Sequence, residues 1–138
     1  MQRNLDHGKK GEKIFDQVER VNSELLSLTY GALVIQLITD YQDVKVVNSE
    51  LEQMGFNIGV RLIDEFLSRS ELKSCSNFRQ TASAIANIGF KMFLGITAEV
   101  RRYKDEPNPQ FVLAFRGNPL NEFVEIPPQY ADLQVRYI

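Results

Sequence analysis

The chain has 138 residues, a length that predicts one domain with room for a sizeable core. Its 43% hydrophobic and 25% charged residues are globular values and exclude a disordered chain. Lys and Arg number 16 against 18 Asp and Glu, a net charge of −2 with no concentrated basic face, so no nucleic-acid partner is expected. One Cys excludes an internal disulfide and a Cys-cluster zinc site. The one histidine, His7, sits in a charged N-terminal stretch, so neither a metal site nor a Ser–His triad is expected. The apolar run Ala32-Leu33-Val34-Ile35 is far short of the ~20 residues a membrane span needs. Residues 1–13 lack the apolar stretch of a signal peptide, so a soluble protein of the cytosolic side is expected.

Residues 1–13 are polar and carry Gly8, Gly11 and three Lys. They read as a flexible start that frays into a helix near Glu12, ahead of one domain over 14–138. Ile14, Phe15 and Val18 follow helical spacing. A first long helix is predicted over 22–41, capped by Asn22 or Ser23, whose side-chain oxygens accept orphan amide N–H groups. Leu25, Leu26, Leu28, Leu33, Ile35 and Leu37 make it apolar on most faces, whereas a surface helix shows one stripe. Such a helix is central to a core or shared with a partner subunit. After a turn at 40–44, a second helix is predicted over 46–69. Its stripe is Leu51, Met54, Ile58, Leu62 and Phe66, spaced by three and four. Gly55 and Gly59 lie one turn apart. Each costs about 0.5–1 kcal/mol relative to Ala in a helix, so close packing is the expected reason for both.

Residues 70–76 form a polar linker holding Cys75. A third helix is predicted over 77–94, with Phe78, Ala82, Ile85, Gly89 and Met92 or Phe93 on its apolar face. Gly95 ends it, since glycine tolerates the left-handed cap. The period then changes to two. Ala98, Val100 and Arg102 alternate with Glu99, Arg101 and Tyr103, as in a strand with one wet face. A proline-bearing turn at 104–109 leads to a second strand over 111–115. Gly117-Asn118-Pro119 is a turn, and a third short strand is expected over 122–126, before Pro127-Pro128. Residues 130–138 could start another helix or strand. Helices followed by an antiparallel meander predict the α+β class.

Several segments resemble, in order, the Bet-three family of subunits of the transport protein particle (TRAPP) complex. They are Leu28-Thr29-Tyr30-Gly31-Ala32-Leu33-Val34, Met54-Gly55-Phe56-Asn57-Ile58-Gly59-Val60-Arg61-Leu62-Ile63 and Phe66-Leu67-Ser68-Arg69-Ser70. Phe90-Lys91-Met92-Phe93-Leu94-Gly95-Ile96-Thr97, Asn118-Pro119-Leu120 and Phe123-Val124-Glu125-Ile126-Pro127 continue the series. The resemblance implies long helices packed on a small antiparallel sheet and a helix-mediated homodimer. Leu28, Leu33, Met54, Gly55, Ile58, Gly59 and Leu62 are the candidates for helix packing or the dimer contact. It implies assembly with other small TRAPP subunits into a vesicle-tethering complex. That complex is a guanine nucleotide exchange factor for a Rab-type GTPase in ER-to-Golgi transport, and this subunit would have no catalysis of its own. It implies a cytoplasmic protein, peripheral on cis-Golgi and ER-derived membranes.

In the family, a cysteine before the third helix carries a fatty acyl chain in an internal hydrophobic tunnel. Cys75 occupies that position, so a covalent palmitate or similar chain is expected there and no other cofactor. Lys73, Arg79 and the helix N-terminus near Cys75 favour the thiolate. Ile85, Gly89, Met92 and Phe93 are the candidates for the tunnel lining. Without the resemblance, a lone cysteine is commonly a small buried hydrophobe. The family continues through a further apolar helix and a final strand, which this chain is expected to lack, and 128–138 match it poorly. The stretch Arg101-Arg102-Tyr103 also departs from the family pattern. Two other readings stand beside assembly: a free-standing acyl-chain or lipid carrier of the same fold, and a thiol enzyme built on Cys75. The second lacks a histidine to activate the thiol outside the N-terminal stretch.

Overall fold

The computed structural model describes residues 2–72, 74–104, 107–108, 110–123 and 128. They form α1 (Gln2–Phe15), α2 (Ser23–Tyr41), α3 (Val44–Ser70), α4 (Phe78–Ala84), a π-helical segment (Ile85–Gly89) and α5 (Phe90–Leu94). Strands β1 (Glu99–Lys104) and β2 (Gln110–Ala114) and a 3-10 turn (Pro119–Asn121) follow. The α+β class expected from the sequence is present. The sequence reading treats 14–138 as one domain, and the chain falls into two compact units. One comprises Met1–Arg20 and Asp64–Gly117, the other Val21–Ile63 and Asn118–Ile138.

The second of these units is built on α2 and the first part of α3. Asn22 caps α2, its Oδ1 accepting the Leu25 N–H at 2.9 Å. Gln42 ends the helix in the left-handed conformation, φ 54°, and its N–H reaches the Ile38 carbonyl. Asp43 then starts α3, its carboxylate accepting the Lys45 N–H at 2.8 Å. The connection is therefore two residues long. Val47 and Leu51 are buried against Tyr30, Val34, Leu37, Ile38 and Val44, all near that connection. Ser27 is buried and donates to the Pro119 carbonyl at 3.0 Å, which ties the 3-10 turn to α2. Burial raises the Tyr30 phenol above its ordinary value, because the phenolate would lose its hydration.

The other unit carries the sheet. β1 and β2 are antiparallel, with Val100 opposite Leu113 and an irregularity between Arg101 and Lys104. Ala98 is buried and Val100 half-buried, while Glu99 and Arg101 are exposed, in line with the period-two reading. The inner face joins Ala86, Phe90 and Ala98 with Ile85, Leu94, Ile96, Val100, Leu113 and Phe115. The Phe90 and Phe115 rings meet edge to face at 4.8 Å. Asn77 caps α4 through the Gln80 N–H at 2.9 Å, and Gly95 closes α5 at φ 71°.

Two findings here differ from the sequence reading. First, the third helix is not regular: the Phe90 N–H reaches back to the Ile85 carbonyl, a π turn. The Ala86 carbonyl instead accepts the Ala98 N–H at 3.0 Å, which anchors the start of the sheet to the helix. Second, the residues read as a flexible start form α1. Ile14 buries itself against Ile88 and Met92, with Val18, Phe66 and Leu72 around them. Gly11 is buried over the Asn87 carbonyl. Glu12 pairs with Lys91 at 2.9 Å, and His7 Nδ1 lies 3.1 Å from Ser83 Oγ. The Lys91 ammonium and the Arg20 guanidinium also stand over the Phe15 ring, at 4.9 and 4.4 Å. The third strand expected over 122–126 begins instead with a turn at Glu122 and Phe123, and residues 124–126 lie outside the described ones, as do 130–138.

Candidate functional site

Cys75 is a free, exposed thiol in the connection between α3 and α4. That connection leaves α3 at Glu71, whose φ of 51° turns the chain sharply. Leu72 then packs on the Ile14–Ile88–Met92 cluster. After Cys75, the Ser76 N–H donates to Gln80 Oε1 at 2.7 Å, and Asn77 caps α4. Cys75 is thus held between two anchored points, apolar at Leu72 and hydrogen-bonded at Ser76. The thiol is open to solvent, and apolar surface begins at Leu72, three residues earlier. Lys73, expected to favour the thiolate, lies outside the described residues.

The four residues expected to line a tunnel do not share one wall. Met92 is buried beside Ile14 and Ile88. Gly89 turns toward Phe66, and a Cβ there would lie 3.7 Å from that ring. Ile85 packs toward the sheet, and Phe93 is exposed. A regular helix would bring 85, 89 and 92 onto one face. The wider π turn shifts the phase between Ile85 and Met92 and sends them to different clusters. An open groove of about 1070 Å³ does exist on this unit, but its walls include Glu12, Arg79, Lys91, Arg101 and Arg116. Charged walls do not suit a hydrocarbon chain. On its rim the Arg101 guanidinium hydrogen-bonds the Glu99 carboxylate and holds it below its ordinary value.

The residues proposed for helix packing or the dimer fall on open faces or on half-buried ones. Leu28, Leu33 and Ile58 are exposed, the last by 54%. Met54, Gly55 and Leu62 are half-buried. Gly59 is exposed, with nothing within 4 Å of a Cβ built there, so within the chain it serves no close packing. The sequence reading missed a second row on α3: Phe56, Val60 and Ile63 are exposed by 64%, 57% and 45%. Their spacing of four and three is itself a helical stripe, parallel to the one through Leu51, Met54 and Ile58. Leu25, Leu26 and Ile35 on α2 are open as well. Among the described residues no cluster of His, Cys, Asp or Glu could hold a metal, and no helix is long and apolar enough to cross a membrane.

Comparison with known proteins adds the lineage. Residues 26–138 match the profile of the family described as "Transport protein particle (TRAPP) component". The "Trafficking protein particle complex subunit 3" of Dictyostelium discoideum is 54% identical over 124 residues, 90% of this chain and 66% of that protein. The "Transport protein particle subunit bet3" of Schizosaccharomyces pombe is 45% identical over 123 residues, 89% of this chain and 66% of that protein. The chain thus spans about two thirds of the length of these relatives. A crystal structure of a trafficking protein particle complex subunit 3 from Naegleria fowleri, covalently bound to palmitic acid, superposes with a TM-score of 0.76. It is 46% identical, and the match covers 86% of this chain and 72% of that one.

Proposed function

The chain belongs to the TRAPP component family, and on that premise we propose that it is a non-catalytic assembly subunit of a vesicle-trafficking particle, carrying a fatty acyl chain on Cys75. It pairs with a second copy through α2 and α3 and joins other small subunits of the same particle. Nucleotide exchange on a Rab-type GTPase belongs to the assembled particle. The protein works in the cytoplasm, peripherally on cis-Golgi and ER-derived membranes. The observation that carries the assembly role is the run of exposed Leu, Ile, Val and Phe on α2 and α3. Apolar side chains exposed in this number along two helices favour an interface, and a two-fold contact would cover them on both copies at once.

The acyl group follows from the neighbour's covalent palmitate together with the exposed Cys75. The donor is an acyl-CoA. Cys75 Sγ attacks the acyl carbonyl carbon, the new C–S bond forms as the bond to coenzyme A breaks, and the cysteine's proton ends on the coenzyme A thiol. No oxidant or reductant is needed. Leu72 and the apolar cluster behind it supply surface for the chain.

Three measurements test this reading. Light scattering should give a dimer, and co-expression with the particle's small subunits should yield a stable complex. A monomer at high micromolar concentration would sink the pairing. A lone dimer with exchangeable, non-covalent lipid would replace assembly with the carrier role. Intact mass should show a hydroxylamine-sensitive acyl increment that vanishes in Cys75→Ser. An increment persisting in that variant would reject Cys75.

A further inference from the structure

We propose that α1 is a displaceable cover: the apolar floor of Phe66, Leu72, Ile88 and Met92 holds Ile14 and Val18 in this structure and exchanges them for the acyl chain of Cys75. This inference rests on the acylation reading above.

The floor and its two occupants form one cluster. Leu72 stands three residues before Cys75, at most about 10 Å of extended chain. A chain attached at Cys75 therefore begins within about 10 Å of Leu72, in reach of this cluster. Gly89 opens on the same side, next to the Phe66 ring. Yet the cluster is full. Ile88 is 0% exposed, Met92 4% and Ile14 6%. Close-packed interiors hold no spare volume for a long hydrocarbon, so an apolar group must leave when the chain enters.

α1 is the element that can leave. The helix-to-sheet core of Ala86, Phe90, Ala98 and their neighbours contains no α1 residue, so it survives the departure. α1 also precedes residue 26, where the family match begins. Its polar fastenings, Glu12 to Lys91 and His7 to Ser83, can be replaced by water. A palmitoyl chain brings about twice the apolar carbon of Ile14 and Val18, and about as much as those two together with the half-buried Phe15 ring that α1 also gives up, and burial energy scales with apolar area. With the areas close to balance, the tether at Cys75 makes the exchange intramolecular and favours the chain while it is attached, and Gly11, seated on the Asn87 carbonyl, lets α1 return when it is removed.

Amide hydrogen exchange read by mass spectrometry tests the idea on the full chain, before and after acylation with palmitoyl-CoA. Peptides within 2–15 should exchange at least tenfold faster in the acylated form, with β1 and β2 unchanged. Ile14→Asp should undock α1 and speed acylation of Cys75 several-fold. Glu12→Lys, which repels Lys91 from an exposed position, should act in the same direction if Ile14→Asp does not fold. Full acylation with unchanged α1 protection overturns the cover and leaves the acylation reading standing. An unchanged acylation rate in a folded variant with α1 released does the same. Failure of both the native chain and the released variants to accept any acyl group overturns both.

Discussion

Gly11 and Gly8 lie on the same helix, and the structure predicts opposite results for the same substitution. At Gly11 an alanine methyl would overlap the Asn87 carbonyl oxygen, stand 3.3 Å from the carbonyl carbon and 3.4 Å from Lys91 Cβ. The obstructing atoms are helix backbone, so they cannot rotate away, and α1 must shift as a whole. Overpacking of this kind costs about 1–3 kcal/mol. If α1 lifts instead, the burial of Ile14 is lost, about 1.5–3 kcal/mol. Against this stands the ordinary gain of about 0.5–1 kcal/mol for replacing glycine by alanine in a helix. The net for Gly11→Ala is a loss of about 1–2 kcal/mol. Gly8 has nothing within 4 Å of its Cβ position, so Gly8→Ala keeps the whole gain. The two variants should differ by about 2–3 kcal/mol. With a urea slope of about 1–3 kcal/mol/M, their midpoints should lie roughly 0.7–3 M apart, one on each side of the native chain. Equal midpoints, or a Gly11→Ala variant as stable as Gly8→Ala, would refute the docking of α1 on the π segment.

Gly89→Ala should be tolerated, because a methyl there meets Phe66 at 3.7 Å, an ordinary contact. Gly89→Leu should drive its outer carbons into that ring, cost about 1–3 kcal/mol in urea unfolding, and slow acylation of Cys75; normal acylation would remove Gly89 from the acyl seat. Tyr30 should give the α2–α3 pair an alkaline limit. Its phenol holds its proton more tightly folded than unfolded, so its contribution is whole below the unfolded value near 10.0 and is lost as pH rises through the raised folded value. Tyr30→Phe should abolish that part of the alkaline loss, and an unchanged profile from pH 9 to 12 would assign the loss elsewhere.

Local chemistry made much of this chain legible. Asn22 and Asn77 cap helices because their short side chains reach amide groups that no helical carbonyl can satisfy. Gly95 stops α5 because it takes a positive φ without a Cβ clash. Ala98 and Val100 turn inward and Glu99 and Arg101 outward because a strand alternates. The family segments and the place of Cys75 before a helix are readable in the same way, since they depend on order along the chain alone. Tertiary structure decided the rest. In the π turn the Ala86 carbonyl accepts the Ala98 N–H, a partner twelve residues away that no local period encodes. The turn places Ile85 and Met92 in different clusters, where a regular helix would have set them on one face. α1 has a polar sequence with two glycines, and its helix depends on a surface supplied by residues 66–92. The rows on α2 and α3 show the converse. Periodicity marks a side chain as apolar and places it on a face, but only packing decides which faces are covered. In this chain, Val47 and Leu51 found partners near the connection, while Phe56, Val60 and Ile63 stayed open.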